Sequence, residues 1–148
     1  MVNSIAKGKA SERQFARILE RITKVKWNRV SCSGGMATAQ GIHDSRFQGD
    51  LWSEDKNYQT VIIECKAGKK NVRLEDIKNP KSIFWSWINQ TRNESEGKDW
   101  ALLFKTNFGD SFIVANTTSK FMLDISDRIV IVAYLPGEPD LVIGCLDG

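Results

Sequence analysis

The sequence predicts an α/β (α+β) fold, a central mixed sheet flanked by helices, on three observations. Two segments, 10–23 and 83–91, carry apolar residues at helical spacing. Seven short runs rich in β-branched and aromatic residues, set off by turn residues, read as strands. Their order along the chain opens α, β, β, β, α and then β, which places helices on the faces of a sheet and excludes an all-β barrel.

At 148 residues the chain fits one domain, 1–148, with a real core, and is too short for two independent ones. Its 41% hydrophobic and 26% charged residues place it among ordinary globular proteins, away from disorder or fibres. No run approaches the roughly 20 apolar residues of a membrane span. The first residues, with Lys7, Lys9 and Glu12, lack a signal-peptide core, so a cytoplasmic protein without a membrane partner is expected. Cys32, Cys65 and Cys145 are scattered and form no CxxC pair, which points to reduced thiols and away from a zinc site or disulfide framework. The formal net charge of +3 is mild, but its distribution says more. Lys7, Lys9, Arg13, Arg17, Arg21, Lys24, Lys26 and Arg29 crowd the first thirty residues, and Lys66, Lys69, Lys70 and Arg73 form a second group. These groups are either solvated faces or contacts for phosphates.

Residues 1–9 read as a flexible basic arm, and 10–23 as a helix with Phe15, Ile18, Leu19 and Ile22 on one stripe. Glu12 lies at the start of that stripe, an unusual place for a carboxylate. It either meets the helix dipole in the first turn or is delivered by the helix to the edge of a cation site. Residues 26–32, with Trp27, Val30 and Cys32, fit a first strand. The stretch 33–49 is small, polar and glycine-rich, and a loop of that length is usually functional or disordered. Within it Ser33 is a candidate to face a metal or a phosphate and Arg46 to hold a phosphate, or else both are ordinary loop residues, and the lone His43 reads as a surface residue.

Residues 50–53 and 59–67 read as the second and third strands, joined through a Glu54-Asp55-Lys56-Asn57 turn; Gly68-Lys69-Lys70-Asn71 ends the third. A short helical turn is expected over 74–78, before Pro80. Ser82 then N-caps a second helix carrying Ile83, Trp87, Ile88 and Thr91. Trp87 is assigned to the core, Trp85 either to the core or to a dimer surface, and Gln90 either to solvent or to the site. Strands follow at 100–105, 111–115, 128–135 and 141–145, with turns at Asn107-Phe108-Gly109-Asp110 and Pro136-Gly137-Glu138-Pro139.

The chemistry concentrates between Asp50 and Lys66. In an extended strand Glu64 and Lys66 share one face and Ile63 and Cys65 the other. With Asp50 on a neighbouring strand, its carboxylate and that of Glu64 can converge on a divalent cation, and oxygen ligands of this kind suit Mg²⁺ or Mn²⁺. One or two such ions, with water and a phosphate oxygen, neutralise a phosphodiester, activate water and stabilise the leaving oxygen. Lys66 can stabilise developing negative charge or help position the attacking water. The chain has no Walker loop, GxGxxG or GxSxG, and a single histidine argues against a zinc hydrolase.

The ordered set of Glu12 on a helix, Ser33-Gly34-Gly35 after the first strand, Gly49-Asp50-Leu51 and Ile63-Glu64-Cys65-Lys66 resembles the PD-(D/E)xK nuclease superfamily. Within it, the set is most similar to the Holliday-junction resolvases of archaea and phages, over roughly residues 7 to 105. The resemblance implies a restriction-endonuclease-like core, a homodimer with two active sites, Mg²⁺ dependence and paired nicks in branched double-stranded DNA. By that likeness Asp50 and Glu64 are metal ligands, Glu12 the helix acid and third ligand, Lys66 the catalytic lysine and Ser33 a loop serine near the site. Gly49 stands where the motif's name-giving proline would be. Ser33, Arg13, Arg46, Lys69, Lys70 and Arg73 are expected to contact the DNA. The same core serves restriction-like and repair endonucleases on linear or damaged duplex, and a non-catalytic nucleic-acid-binding domain is a further alternative. For a phage-encoded chain the compartment would be the host cytoplasm.

Overall fold

The computed structural model describes residues 4–30, 49–67, 73–106 and 110–146. Three α-helices are present among them: α1 (Ser4–Thr23), α2 (Ile83–Glu94) and α3 (Lys120–Ile125). The strands are β1 (Asn28–Arg29), β2 (Leu51–Trp52), β3 (Ile62–Lys66), β4 (Trp100–Lys105), β5 (Ser111–Asn116), β6 (Val130–Leu135) and β7 (Glu138–Cys145). They form one seven-stranded sheet in the order β1-β2-β3-β4-β5-β7-β6. Neighbours are antiparallel except β3 and β4, which run parallel with Ile62 opposite Trp100 and Lys66 opposite Phe104. A parallel pair needs a crossover, and α2 provides it.

Because successive strand residues face opposite ways, the sheet divides the core in two. On one face Ile63, Leu103, Ile113 and Val142 pack with Phe15 and Leu19 of α1 and Phe121 of α3. On the other, Ile62, Leu102, Phe104, Val114 and Ile143 pack with Phe84 and Ile88 of α2. Phe15, Phe84 and Phe104 are fully buried, and each such burial contributes on the order of 2–3 kcal/mol relative to exposure. The fold is therefore the helix-flanked mixed sheet that the element order predicts.

Apolar residues at helical spacing, Phe15, Leu19 and Ile22, hold α1 to the sheet. The helix starts at Ser4, so residues 4–9 of the expected arm are helical. Ala6, Lys7, Lys9 and Ala10 are good helix formers, and the single Gly8 costs only about 1 kcal/mol. At the other end the Thr23 hydroxyl donates to the Leu19 carbonyl at 2.6 Å and accepts from Trp27 Nε1 at 2.9 Å. Lys24 then turns the chain with φ 65°.

The second half departs from expectation in three places. Ser82 does precede α2, but its hydroxyl donates to the Asp76 carbonyl at 2.9 Å instead of capping the helix. Trp85 Nε1 donates to Ile77 O at 2.8 Å, and Trp85 and Trp87 are half-buried against the α2-side core. Strand β7 starts at Glu138, so the turn shrinks to Pro136 and Gly137, with φ 73° at the glycine. Pro139 is tolerated inside β7 because β5 first pairs with that strand at Leu141.

The third departure is α3 itself, which the sequence reading passed over. Its N-cap, Ser119, accepts from Met122 N at 3.1 Å, and Phe121, Met122 and Ile125 are buried. Ser119→Ala is expected to lower stability by about 1 kcal/mol through loss of this cap, read as a drop of roughly 3 °C in Tm by thermal melting.

Candidate active site

Strand β2 pairs with β3 at a single register position, Leu51 opposite Ile63. Just before it, Asp50 N–H donates to Ile63 O at 2.7 Å, and Asp50 O accepts from Val30 N at 3.0 Å. Beyond that point the Cys65 N–H has no ladder partner on β2, and the Asp50 carboxylate takes it at 2.8 Å. The side chain therefore substitutes for a missing backbone acceptor, and this fixes the carboxylate beside Glu64.

Gly49 makes the approach possible. Its φ is 74°, and a Cβ there would stand 2.6 Å from Ile63 O and 3.1 Å from Ile62 Cγ2. Proline, locked near φ −65°, cannot adopt this conformation. The glycine in place of the name-giving proline thus follows from the backbone path into Asp50.

Glu64 and Lys66 alternate with Ile63 and Cys65, so they lie on the α2 side of the sheet with Ile62. The Glu64 carboxyl is pushed up from 4.5 to about 8. Burial is the main cause; the charge of Asp50 and a side-chain hydrogen bond with it come next, Lys66 opposes the shift and Glu94 adds a little. Two carboxyls held this close in a desolvated place cannot both ionise freely. Cys65 is a free, half-buried thiol. Burial first, then the charges of Asp50, Glu12 and Glu64, push it well above the usual thiol range, so it is no nucleophile.

Glu12 approaches from α1, on the opposite side of the sheet from Glu64. Its Oε2 accepts from Arg29 Nε at 2.9 Å, in a pair about one quarter exposed. The structure brings Asp50 and Glu64 together and leaves Glu12 bridged to β1, although its charge still reaches Cys65. Arg29, which no motif singled out, is the residue that fixes Glu12. The signal for it is weak in sequence, since the partners are seventeen positions apart on different elements.

Arg13 is solvent-exposed on α1, as are Lys9 and Arg17. The three follow each other at four-residue spacing and so line one stripe. Arg73 is also exposed, and its N–H donates to Asp76 Oδ2 at 2.9 Å, opening the short helical turn Leu74–Lys78. Ser33, Arg46, His43, Lys69 and Lys70 lie outside the described residues. Gln90 is exposed and donates to Glu94 Oε1 at 3.0 Å, so it is not brought into the site.

Among the described residues no three His, Cys, Asp or Glu side chains gather closely enough to hold a metal ion. The available donors are the two carboxylates, with Asp50 preorganised by Cys65 N–H and Glu64 holding its proton through burial first and Asp50 second. That set fits a hard divalent cation whose remaining ligands are waters and phosphate oxygens, the usual mode for ions that dehydrate reluctantly. A cation held there would favour the ionised form of Glu64 against both its burial and the charge of Asp50.

No described helix is long and apolar enough to cross a membrane. No curated protein and no solved structure matches the chain. The family model described as "Phage putative PDDEXK endonuclease" matches residues 3–135, which span α1, the whole Asp50 to Lys66 site and the sheet as far as β6. The chain belongs to this PD-(D/E)xK nuclease family.

Proposed function

We propose that the chain is a Mg²⁺-dependent, structure-specific DNA endonuclease, a Holliday-junction resolvase that acts in the cytoplasm as a homodimer and makes paired nicks in branched DNA. The single observation that carries the reading is the Asp50–Glu64 carboxylate pair, with Lys66 on the face of Glu64. Asp50 and Glu64 would hold the cation. When bound, it supplies positive charge to the scissile phosphate and a more acidic water. Asp50 needs no reorganisation, because its backbone and one carboxylate oxygen are already bonded to β3 and Val30.

Lys66 adds a positive charge where a phosphodiester gains negative charge during hydrolysis. Glu12 enters as the helix acid that adds negative field at the rim of the site. The exposed stripe of Lys9, Arg13 and Arg17, together with Arg73, supplies phosphate contacts along the duplex. In this reading Ser33, Arg46, Lys69 and Lys70 also contact the DNA. A four-way junction has approximate twofold symmetry, and two identical sites related by a twofold axis can nick it in matched positions.

The test is a synthetic four-way junction and a linear duplex of the same sequence, each incubated with and without Mg²⁺ and resolved on a denaturing gel. The expected result is two symmetric nicks in the junction that require the metal. Preferential cutting of the linear duplex would move the chain to the restriction-like or repair alternative. DNA binding without metal-dependent cutting of either substrate would overturn the nuclease reading in favour of a binding domain.

A further inference from the structure

Four of the five large hydrophobic side chains exposed among the described residues lie on one strand. Val130, Ile131, Val132 and Tyr134 of β6 are 60%, 39%, 45% and 66% exposed, and Leu123 of α3 is 63% exposed. Strand β6 is the outer strand of the sheet, with β7 on its inner side. Edge strands usually carry a Lys or Pro that discourages further pairing, yet residues 129–135 contain no charge and no proline. The ladder is irregular in two places, between Tyr134 and Leu135 and where the register passes from Ile131 opposite Gly144 to Ala133 opposite Ile143, which leaves Val132 as an extra residue. A bulge of this kind can protect an edge. Here the residue it adds is half-exposed valine, so it enlarges the apolar surface.

We infer that the β6 edge is a self-association surface, on which a second copy of this chain docks antiparallel about a twofold axis near Val132. Three points select that occupant. DNA is a poor fit, because a phosphate backbone is held by cations and this strand has none. The four exposed β6 side chains offer on the order of 400 Å² per protomer, about half of the roughly 800 Å² that each partner contributes to a standard interface, and the strand backbone adds to it. The strand is also self-complementary. An antiparallel copy centred on Val132 sets Val130 against Tyr134 and Ile131 against Ala133, which makes aromatic and β-branched cross-strand pairs with no like charges opposed. The inference rests on the proposed function for its homodimer and names the surface that forms it, supplying the twofold that paired nicking uses; the nuclease activity itself is tested separately by the cleavage assay.

The test needs neither DNA nor metal. Light scattering on the full chain at tens of micromolar is expected to give twice the monomer mass of 16.7 kDa. Val132→Lys, which brings two like charges together at the axis, is expected to yield monomer with an unchanged circular dichroism spectrum. Like-charge juxtaposition of this kind corresponds to a loss of at least about 10²-fold in dimer affinity. Asn93→Lys, an added charge on the exposed side of α2, should leave the dimer intact. If Val132→Lys fails to fold, Tyr134→Ser decides in its place. A wild-type mass of one chain at tens of micromolar, or a dimer that survives both β6 substitutions, overturns the inference, whatever the cleavage assay gives.

Discussion

Glu64→Gln is expected to abolish cleavage while making the metal-free protein more stable. If the proposed function holds, losing one of two carboxylate ligands removes several kcal/mol of transition-state stabilisation, equivalent to a fall in cleavage of about 10³-fold or more. The stability change has the opposite sign. The Glu64 carboxyl lies near 8 in the native protein against 4.5 for the free group, mainly through burial and Asp50. Between those two pH values the native chain therefore holds a proton that the unfolded chain has released. Stability consequently falls as pH rises through that window, by up to about 1.4 kcal/mol per pH unit, and the penalty is absent below the lower value. Glutamine carries no such titration. At pH 8 the variant should be more stable by roughly 4 kcal/mol, a rise in Tm of about 12 °C. Denaturant melts of wild type and variant from pH 5 to pH 8 check this: the two curves should diverge as pH rises. Saturating Mg²⁺ should raise the wild-type Tm and leave the variant unmoved. A variant that melts with wild type at every pH would refute the strained carboxyl pair.

Gly49→Ala is expected to damage both folding and cutting. Alanine at φ 74° is disfavoured by about 1–2 kcal/mol, and its Cβ would press on Ile63 O from 2.6 Å. The neighbour is backbone in a buried strand, so it cannot simply swing away. Together these effects should cost about 2–4 kcal/mol. The strand must shift to relieve the contact, and Asp50 is the next residue, bonded to Ile63 O and to Cys65 N–H. A misplacement of about 1 Å at a reacting centre can cost 10²-fold, so cleavage per folded molecule should fall by about that factor even at saturating metal. Gly49→Pro should not yield folded protein. Folded fraction by denaturant melt, measured beside single-turnover cleavage, separates the two effects. Full activity in a well-folded Gly49→Ala protein would mean that the backbone path into Asp50 is not critical.

Much of the site was legible because its signals are local. The burial of Ile63, the alternation through Glu64 and Lys66 and the placing of Asp50 at the entry to the adjacent strand all follow from a period of two and a short connection. Strand β4 was bounded correctly at Trp100 and Lys105 because WALLFK is apolar on both faces, as a central strand must be. Helix α3 escaped because six residues hold too few turns for periodicity to register; Ser119 followed by Phe121, Met122 and Ile125 was the available clue. The bridge from Glu12 to Arg29 depends on how α1 packs over β1, which no local pattern encodes. Strand β6 shows the limit from another side. VIVAYL reads as core by composition, yet four of its six residues are exposed because it lies at the rim of the sheet.

The lone parallel ladder has a consequence for how the molecule assembles. Strands β1 to β3 form one antiparallel unit, and β4, β5, β7 and β6 form another. The second can zip up through nearby turns, whereas joining β3 to β4 must wait until the chain through α2 has folded back, a closure with a larger entropic cost. The strand carrying Glu64 and Lys66 therefore lies along the joint between two halves. That ladder has five register pairs against the single one between β2 and β3, so when the sheet frays β3 is expected to stay with β4, and Asp50, across the weaker join, to be the first of the candidate site residues to part.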